Sequence, residues 1–407
     1  YVVPSAPGKR FPKDTKVTDM LYACYESAAN GEDFSEQLDN IHARYQEIID
    51  GLNLDFSLDL DFVQIKENFS NKAGADYAAS RGECLNGKIM AAYLGFEFVD
   101  AAEVVRFNDD GSFNDEVTNT LLSERLQDCK TAVIPGFYGA KKDGTIVTFS
   151  RGGSDITGSL VALAVQADLY ENWTDVSGFL IADPRIVKNP KSIETITYKE
   201  LRELSYMGAS VLHEDAIFPV RKAGIPINIR NTNAPQDKGT LIVEGTCRQP
   251  KYTITGIAGT DGFVAITVEK AMMNSEVGFC RKVLQVFEDN GVSIEHMPSG
   301  IDTMSIFVNK DVFEEKEQKI LADIHKAVNP DHIELESNLA LIAVVGRGMK
   351  STRGTAGRIF SALAHAHINV KMIDQGSSEL NIIIGVRHDD FKNAIRALYE
   401  IFVLTQI

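Results

Sequence analysis

The C-terminal third of the chain repeats itself, and that repeat restricts the available folds more than any other feature. Residues Gly278 to Asn309 align on Gly354 to Gly385 without gaps at an offset of 76 residues. Val283 falls on Ile359, Val292 on Ile368, Ile294 on Val370, Ile306 on Ile382 and Val308 on Ile384. Each copy reads as strand, helix, strand, strand and a further helix, with a glycine-containing turn opening the first helix and Asn290-Gly291 or His365-Ala366-His367 closing it. A βαββα unit of roughly 60–80 residues has a sheet covered by helices on one face, and its free edges invite pairing with another copy. Two units in tandem predict a dimeric regulatory module, although repeats can also serve only to add bulk.

Composition narrows what the remainder can be. At 407 residues the chain exceeds the roughly 250–300 residues at which one core stops growing, so two or three domains are expected. Hydrophobic residues at 44% and charged residues at 24% are those of a soluble globular protein. A formal net charge of −16 disfavours nucleic acid and anionic membranes, which call for a basic footprint. Small-molecule partners are expected instead. Cys24, Cys84, Cys129, Cys247 and Cys280 show neither CxxC nor histidine-rich spacing, which points to reduced thiols in a cytoplasmic protein. There is no run of about 18–20 apolar residues and no secretory signal pattern. The abrupt apolar start Tyr1-Val2-Val3 is read as a chain whose first strand and loop are missing.

From Tyr1 to about Gly245, short β-branched runs (131–134, 145–148, 225–229) alternate with helical periodicity. Helices are expected over Asp155–Ala167 behind a Ser154 cap and over Tyr198–Met207 behind Thr197. The alternation implies a layered α/β/α domain with a largely parallel sheet. Between Asn30 and Ser70, Leu38, Ile41, Tyr45, Ile48 and Ile49 recur at helical spacing, as in a surface helical excursion. Turn formers at 234–239 precede a change in composition. The expected domains are 1–248, then two βαββα modules at 249–335 and 336–407.

The most informative segment for chemistry is Phe149-Ser150-Arg151-Gly152-Gly153-Ser154-Asp155-Ile156-Thr157, set between a strand and a helix. Glycines there let backbone approach an anion, and a helix N-terminus favours negative charge, so phosphate is the natural ligand. A Gly-Gly turn before a helix is equally an ordinary structural device; Arg151 and Asp155 at the same turn favour a polar, zwitterionic substrate. A second loop, Trp173 to Phe179, leads into Ala182-Asp183-Pro184-Arg185. Thr174, Asp175, Asp183 and Arg185 crowd into twelve residues, consistent with nucleotide contact and also with a salt-bridged turn.

These segments carry a resemblance to the aspartate kinases, of the amino-acid kinase fold with tandem C-terminal ACT domains. The matching pieces are Val2-Val3-Pro4-Ser5-Ala6, Val17-Thr18-Asp19-Met20-Leu21, Ser80-Arg81-Gly82-Glu83, Pro135-Gly136-Phe137, Arg151 to Asp155, Trp173 to Gly178, Ala182 to Arg185 and Val211-Leu212-His213. They follow the family's order over nearly the whole chain, and the tandem repeat follows where the family has ACT domains. The resemblance implies transfer of the ATP γ-phosphoryl, with Mg²⁺, to the side-chain carboxylate of L-aspartate. Glu83 and Arg151 would hold the amino and carboxylate groups of aspartate, with Ser5 and Thr18 lining the pocket. Asp155 would orient active-site cations beside Gly152 and Gly153, although no protein ligand is firmly assigned to a metal. Thr174, Asp175 and Arg185 would contact ATP, with Asp183 nearby.

The same resemblance implies that Met273, Ser275, Glu276, Val277 and Gly278, with Gln375, Ser377, Glu379 and Asn381, bind an effector, lysine and/or threonine, in a homodimer or homotetramer paired through the ACT domains. Several departures stand out. The family's N-terminal Lys-Phe-Gly-Gly segment does not precede Tyr1, Ser210 replaces a common lysine, Glu214 a proline, and Leu180 an aromatic residue. Ending soon after the second repeat, the chain is expected to carry no fused dehydrogenase. Competing readings are a glutamate or acetylglutamate kinase, and a non-catalytic ACT-type amino-acid sensor.

Overall fold

The structure, a computed structural model, describes residues 1–150, 152–209, 214–246 and 251–405, apart from the side chains of Glu214 and Asp215. The chain forms two compact units, Tyr1–Trp173 with Leu212–Asn228, and Thr174–Val211 with Ile229–Ile407. The segment expected as one domain, 1–248, is thus divided between them.

In the first unit, helices α1 (Val17–Ala29), α2 (Ser35–Gly51), α3 (Asp59–Ser70) and α4 (Ala75–Leu94) come first. Leu38, Ile41, Tyr45 and Ile49 of α2, as expected from their spacing, lie on one face. That face is core, not surface: it packs with Val17, Leu21 and Cys24 of α1 and with Phe62, Ile65 and Phe69 of α3. The layered part follows as β1 (Glu97–Phe98), α5 (Ala101–Val104), α6 (Asp115–Leu126), β2 (Ala132–Val133), β3 (Tyr138–Ala140), β4 (Ile146–Thr148) and α7 (Gly153–Ala164). β1 and β2 are parallel, and Val2 bridges Val133 in parallel, while β3 and β4 form an antiparallel hairpin. Strand β5 (Tyr170–Thr174) runs into the second unit.

Helix α7 starts earlier than expected. Its N-cap is Gly152, at φ 57°, and not Ser154. Only glycine adopts that left-handed conformation without penalty, so the turn is made by Gly152 and the serine is drawn into the first helical turn.

The second unit contains β6 (Thr195–Thr197) and α8 (Tyr198–Tyr206). Thr197 and Glu200 close a reciprocal capping box, as the Thr197 cap foretold. The chain then returns to the first unit for α9 (Glu214–Ala223), which packs on α7. It leaves through β7 (Ile227–Asn231) to reach β8 (Thr240–Val243), parallel to β6.

The repeat forms β9 (Gly256–Glu269), α10 (Phe279–Asp289), β10 (Ile294–His296), β11 (Thr303–Asn309), α11 (Lys310–Glu314), α12 (Glu317–Val328), β12 (His332–Val345), α13 (Thr355–His365), β13 (Met372–Asp374), β14 (Asn381–Arg387) and α14 (Phe391–Tyr399). All its strands belong to one six-stranded sheet, ordered β10-β11-β9-β12-β14-β13. The long strands β9 and β12 run antiparallel, and their register shifts near Gly262 (φ 87°) and Asn338 (φ 58°). Beyond that irregularity each strand serves the other copy. Phe263–Glu269 lies between β11 and His332–Glu336, whereas Leu339–Val345 lies between β14 and Gly256–Asp261. The expected boundary after 335 therefore falls inside β12, and no single cut separates the two modules.

The gap-free alignment also needs a correction. Ile306 faces Ile266, while Ile384, not Ile382, faces the equivalent Ile342. The second copy has two extra residues in its β13–β14 hairpin. A slip of two keeps every side chain on the same face, so the hydrophobic pattern cannot reveal it.

Helix α8 lies against this sheet at several points. The Glu200 carboxylate, fully buried, accepts hydrogen bonds from Thr255 Oγ1 at 2.5 Å, Arg347 N at 2.9 Å and Arg347 Nη1 at 2.9 Å. Leu204 fills the space where Gly256 has no Cβ, and Thr260 Oγ1 donates to Met207 O. Tyr206 bonds Glu295 on β10, and Asn381 on β14 bonds Glu203. One helix reaches both halves of the sheet, which curls enough that His296 and Asp374, on opposite edge strands, meet at 2.8 Å. Burial opposes ionisation of Glu200, but the hydrogen bonds from Thr255, Arg347 and Thr197 outweigh it and hold its carboxyl below the ordinary range. Replacing Glu200 by Ala leaves Arg347 without its buried counter-charge, which costs about 3–5 kcal/mol. Calorimetry should register a fall in Tm of roughly 10 °C for the transition of this unit.

Candidate active site

Helix α4 carries Ser80-Arg81-Gly82-Glu83 past the extended segment Pro4-Ser5-Ala6. The approach is close because residue 82 is glycine: a Cβ there would lie 2.9 Å from Ala6 Cβ and 3.7 Å from Thr18 Oγ1. Asn86 Nδ2 donates to Ser5 O at 2.7 Å, and Tyr45 Oη from α2 donates to Gly82 O at 2.7 Å. Ser5, Thr18 and Glu83 are thereby gathered around one turn of α4.

Glu83 is the chemically unusual member. It is 6% exposed, and Oε2 has no hydrogen-bond partner among the described residues. Burial raises its carboxyl from an ordinary value near 4.5 to about 7, against the opposing pull of the Ala6 backbone amide. A buried carboxylate with an unused oxygen is suited to a cationic ligand.

On the other side of Pro4, Gly136 N donates to Pro4 O at 3.2 Å. A Cβ on Gly136 would fall 2.7 Å from Ser154 Cα, and one on Gly153 would fall 2.9 Å from Phe137 Cα. Phe137 is held at φ 78°, its amide donating to Thr157 Oγ1 at 3.2 Å. The Pro135-Gly136-Phe137 loop thus lies directly on the first turn of α7, whose N-terminal amides and dipole favour an anion. Asp155 is oriented by Asn172, whose Nδ2 donates to Oδ1 at 2.8 Å, and its carbonyl accepts from Tyr170 Oη at 3.3 Å. Asn172 was not singled out in the sequence. Its signal was available, since alternation along β5 turns it to the opposite face from the exposed Trp173. Arg151, together with Ser210-Val211-Leu212-His213, lies outside the described residues.

The expected nucleotide residues belong to the second unit. Thr174 O accepts from both Thr232 N at 2.8 Å and Thr232 Oγ1 at 2.9 Å, and Asp175 N donates to Thr174 Oγ1 at 2.6 Å. Further along the loop, Ser177 Oγ donates to Asp237 and accepts from Asn231. Gly178, at φ 90°, sits against Thr240, where a Cβ would meet Oγ1 at 2.3 Å. Arg185, 85% exposed, pairs with Asp183 at 2.7 Å, which holds the Asp183 carboxyl below its ordinary range. The arginine expected to meet a nucleotide is thus already ion-paired.

In the repeat, Met273 and Ser275 lie in a short 3₁₀ turn, and Gly278, at φ 84°, caps α10. Glu276 is gripped by Lys270 and Lys282, whose hydrogen bonds bring its carboxyl down to about 2. Asn274 N donates to Ile301 O, so the turn is fastened to the β10–β11 hairpin, and Met272, Val277 and Ile301 are left 69%, 97% and 70% exposed. Gln375, Ser377 and Glu379 occupy the corresponding β13–β14 hairpin, and Asn381 opens β14. Each segment is thus fastened within its own half of the sheet.

An α/β unit with a glycine-rich helix N-terminus, followed by paired βαββα modules, defines an amino acid kinase with ACT-type regulation. In agreement, the model of the amino acid kinase family matches residues 17–231, and that of an ACT domain matches 342–402. Aspartokinase 3 of Bacillus subtilis is 40% identical over 98% of this chain and 91% of its own length. The solved aspartate kinase of Clostridium acetobutylicum superposes with a TM-score of 0.88 at 53% identity, over 99% of this chain and 92% of that one. Escherichia coli aspartokinase III, solved with lysine and aspartate, gives 0.68 at 25% identity, over 98% and 92%. The chain belongs to the aspartokinase family.

Two variants test the geometry. Gly136→Ala forces the 135–137 loop off α7 and should lower kcat by up to about a hundredfold with a smaller change in Tm. Glu83→Gln separates ligand binding from folding. Because the folded-state value near 7 lies above the ordinary 4.5, the wild type gains stability below 4.5 and loses it as pH rises through 7. At pH 8 the amide should therefore be more stable than wild type by up to roughly 3 kcal/mol. The same variant should raise KM for aspartate by about two orders of magnitude, as expected for a lost charge-assisted contact.

Proposed function

We propose that this protein transfers the γ-phosphoryl group of ATP to the side-chain carboxylate of L-aspartate, giving 4-phospho-L-aspartate, the first step toward lysine, threonine and methionine. The observation that carries this reading is the buried Glu83, with an unused carboxylate oxygen, beside Ser5, Thr18 and the loop on the N-terminus of α7. A zwitterionic amino acid needs an acid for its ammonium group and a base for its α-carboxylate. Glu83 serves the first and Arg151 the second, where a guanidinium grips a carboxylate bidentately.

The nucleophile needs no general base. An aspartate side chain ionises at a pKa of about 4 and attacks as the carboxylate at neutral pH. The chain's task is alignment and neutralisation of charge on the transferring group. Gly152 and Gly153 present backbone amides to it, and Asp155, steadied by Asn172, would orient the Mg²⁺ bound with ATP, which would neutralise phosphate charge. Thr174, Asp175 and Arg185 hold the nucleotide, and Asp183 keeps Arg185 in position. In this reading residues 1–248 form the catalytic domain, residues from 249 onward form the ACT pair, and the enzyme works in the cytoplasm.

The turn at Met273, Ser275, Glu276, Val277 and Gly278, and the hairpin at Gln375, Ser377, Glu379 and Asn381, form effector sites for lysine and/or threonine where two chains pair. The exposed apolar cluster of Met272, Val277 and Ile301 supports association into dimers or tetramers. An effector acts through its differential affinity for two arrangements of the pair.

The experiment is ATP-dependent hydroxamate formation, with aspartate, glutamate and acetylglutamate as acceptors, in the presence and absence of lysine and threonine. Product from aspartate, suppressed by an effector, is expected. Turnover of glutamate instead would move the assignment to another amino-acid kinase, and effector binding without turnover would make the protein a sensor.

A further inference from the structure

A cavity of about 540 Å³ opens in the second unit, and none of the residues assigned above to aspartate, nucleotide or effector lines it. Its volume suits a small organic ligand. Ile181, Ile193 and Ile254 give it buried apolar walls, at 2%, 5% and 1% exposure. Its polar lining is dominated by donors. Lys191 and Lys251 bring their ammonium groups to 5.5 and 5.7 Å from the centre of the Tyr252 ring. Arg347 is the third cation, and Glu194 is the one acidic residue of the lining. In a chain of net charge −16, such a concentration of positive charge is out of character.

Two buried polar atoms sharpen the case. Tyr252 Oη and Arg347 Nε have no hydrogen-bond partner among the described residues. Arg347 uses its Nη1 on Glu200, at 2.9 Å, which leaves the Nε side of the guanidinium unused. A guanidinium N–H can only donate, and an unpaired buried donor is unfavourable, so the wall that Arg347 and Tyr252 give the cavity holds polar atoms with unmet demand just behind its surface. Lys191 is fixed from behind, its backbone N–H donating to Tyr399 Oη at 2.9 Å.

We propose that this cavity binds a small organic anion, a phosphate or carboxylate carried on an apolar or aromatic body, through the Lys191 and Lys251 ammonium groups set about the Tyr252 ring, with Arg347 as the third cation of the lining. Thr255 and Arg347 line the cavity and also hold Glu200 at the first turn of α8. An occupant therefore bears directly on the clamp that fastens α8 to the six-stranded sheet.

Pyridoxal 5′-phosphate is a suitable probe because it joins a phosphate and an aromatic ring to an aldehyde. A lysine amine condenses with the aldehyde, releasing water, and borohydride then reduces the imine to a secondary amine that peptide mass mapping locates. All four of Lys188, Lys191, Lys199 and Lys251 are exposed, but Lys191 or Lys251, which line the cavity, should be labelled roughly tenfold faster than Lys188 and Lys199, which do not, and inorganic phosphate should protect them. Labelling at the rate of Lys188 and Lys199, or without protection, overturns the proposal. Phosphate can also meet the nucleotide residues, so its effect on Tm is compared between the wild type and the Lys191→Gln/Lys251→Gln double variant. A smaller shift in the double variant is expected; an undiminished one rejects the site.

Discussion

The antiparallel pairing of β9 with β12 underlies the regulatory half of the molecule. Each strand is fourteen residues long and is divided by a register shift, so that one half completes the first module and the other half completes the second. A free-standing βαββα copy has an exposed sheet edge. Here each copy receives its missing edge strand from the other, on either side of the irregularity at Gly262 and Asn338. Glu200, Glu203, Tyr206 and Met207 each bond this sheet or the residues that flank its strands.

Much of this was legible in the sequence, for reasons that differ by level. The repeat was found because Val283 and Ile359, like Val292 and Ile368, must be buried in both copies, and burial leaves a periodic trace. The Thr197 cap was found because its capping box is local. Three features had no such trace. Sharing of β9 and β12 is a long-range pairing that leaves the alternation of each strand unchanged. The two-residue slip preserves facing. The cap of α7 moved to Gly152 because backbone conformation, and not side-chain chemistry, decides that turn.

At the active site the sequence pointed to residue types, and the structure supplies their circumstances. Ser5, Thr18 and Glu83 are distant in sequence but share one turn of α4, a proximity created by the missing Cβ of Gly82. Nothing in the pattern Ser-Arg-Gly-Glu announces that Glu83 would be buried with an unused oxygen and a carboxyl near 7. Asn172 escaped notice because its role depends on Asp155, seventeen residues earlier, being turned toward it by α7. The residues proposed for the nucleotide stood out as a cluster, yet their order comes from partners beyond it, Thr232, Asp237 and Thr240.

The exchange of edge strands has an evolutionary consequence. Tandem copies that merely stand side by side can be lost, duplicated or shuffled one at a time, because each carries a whole sheet. Here Gly256–Asp261 precedes the first module in the chain but belongs beside the second, so deleting either copy strips a strand from the survivor. The pair is inherited as a single unit, and its two halves are free to diverge in what they recognise while remaining bound to a common fate.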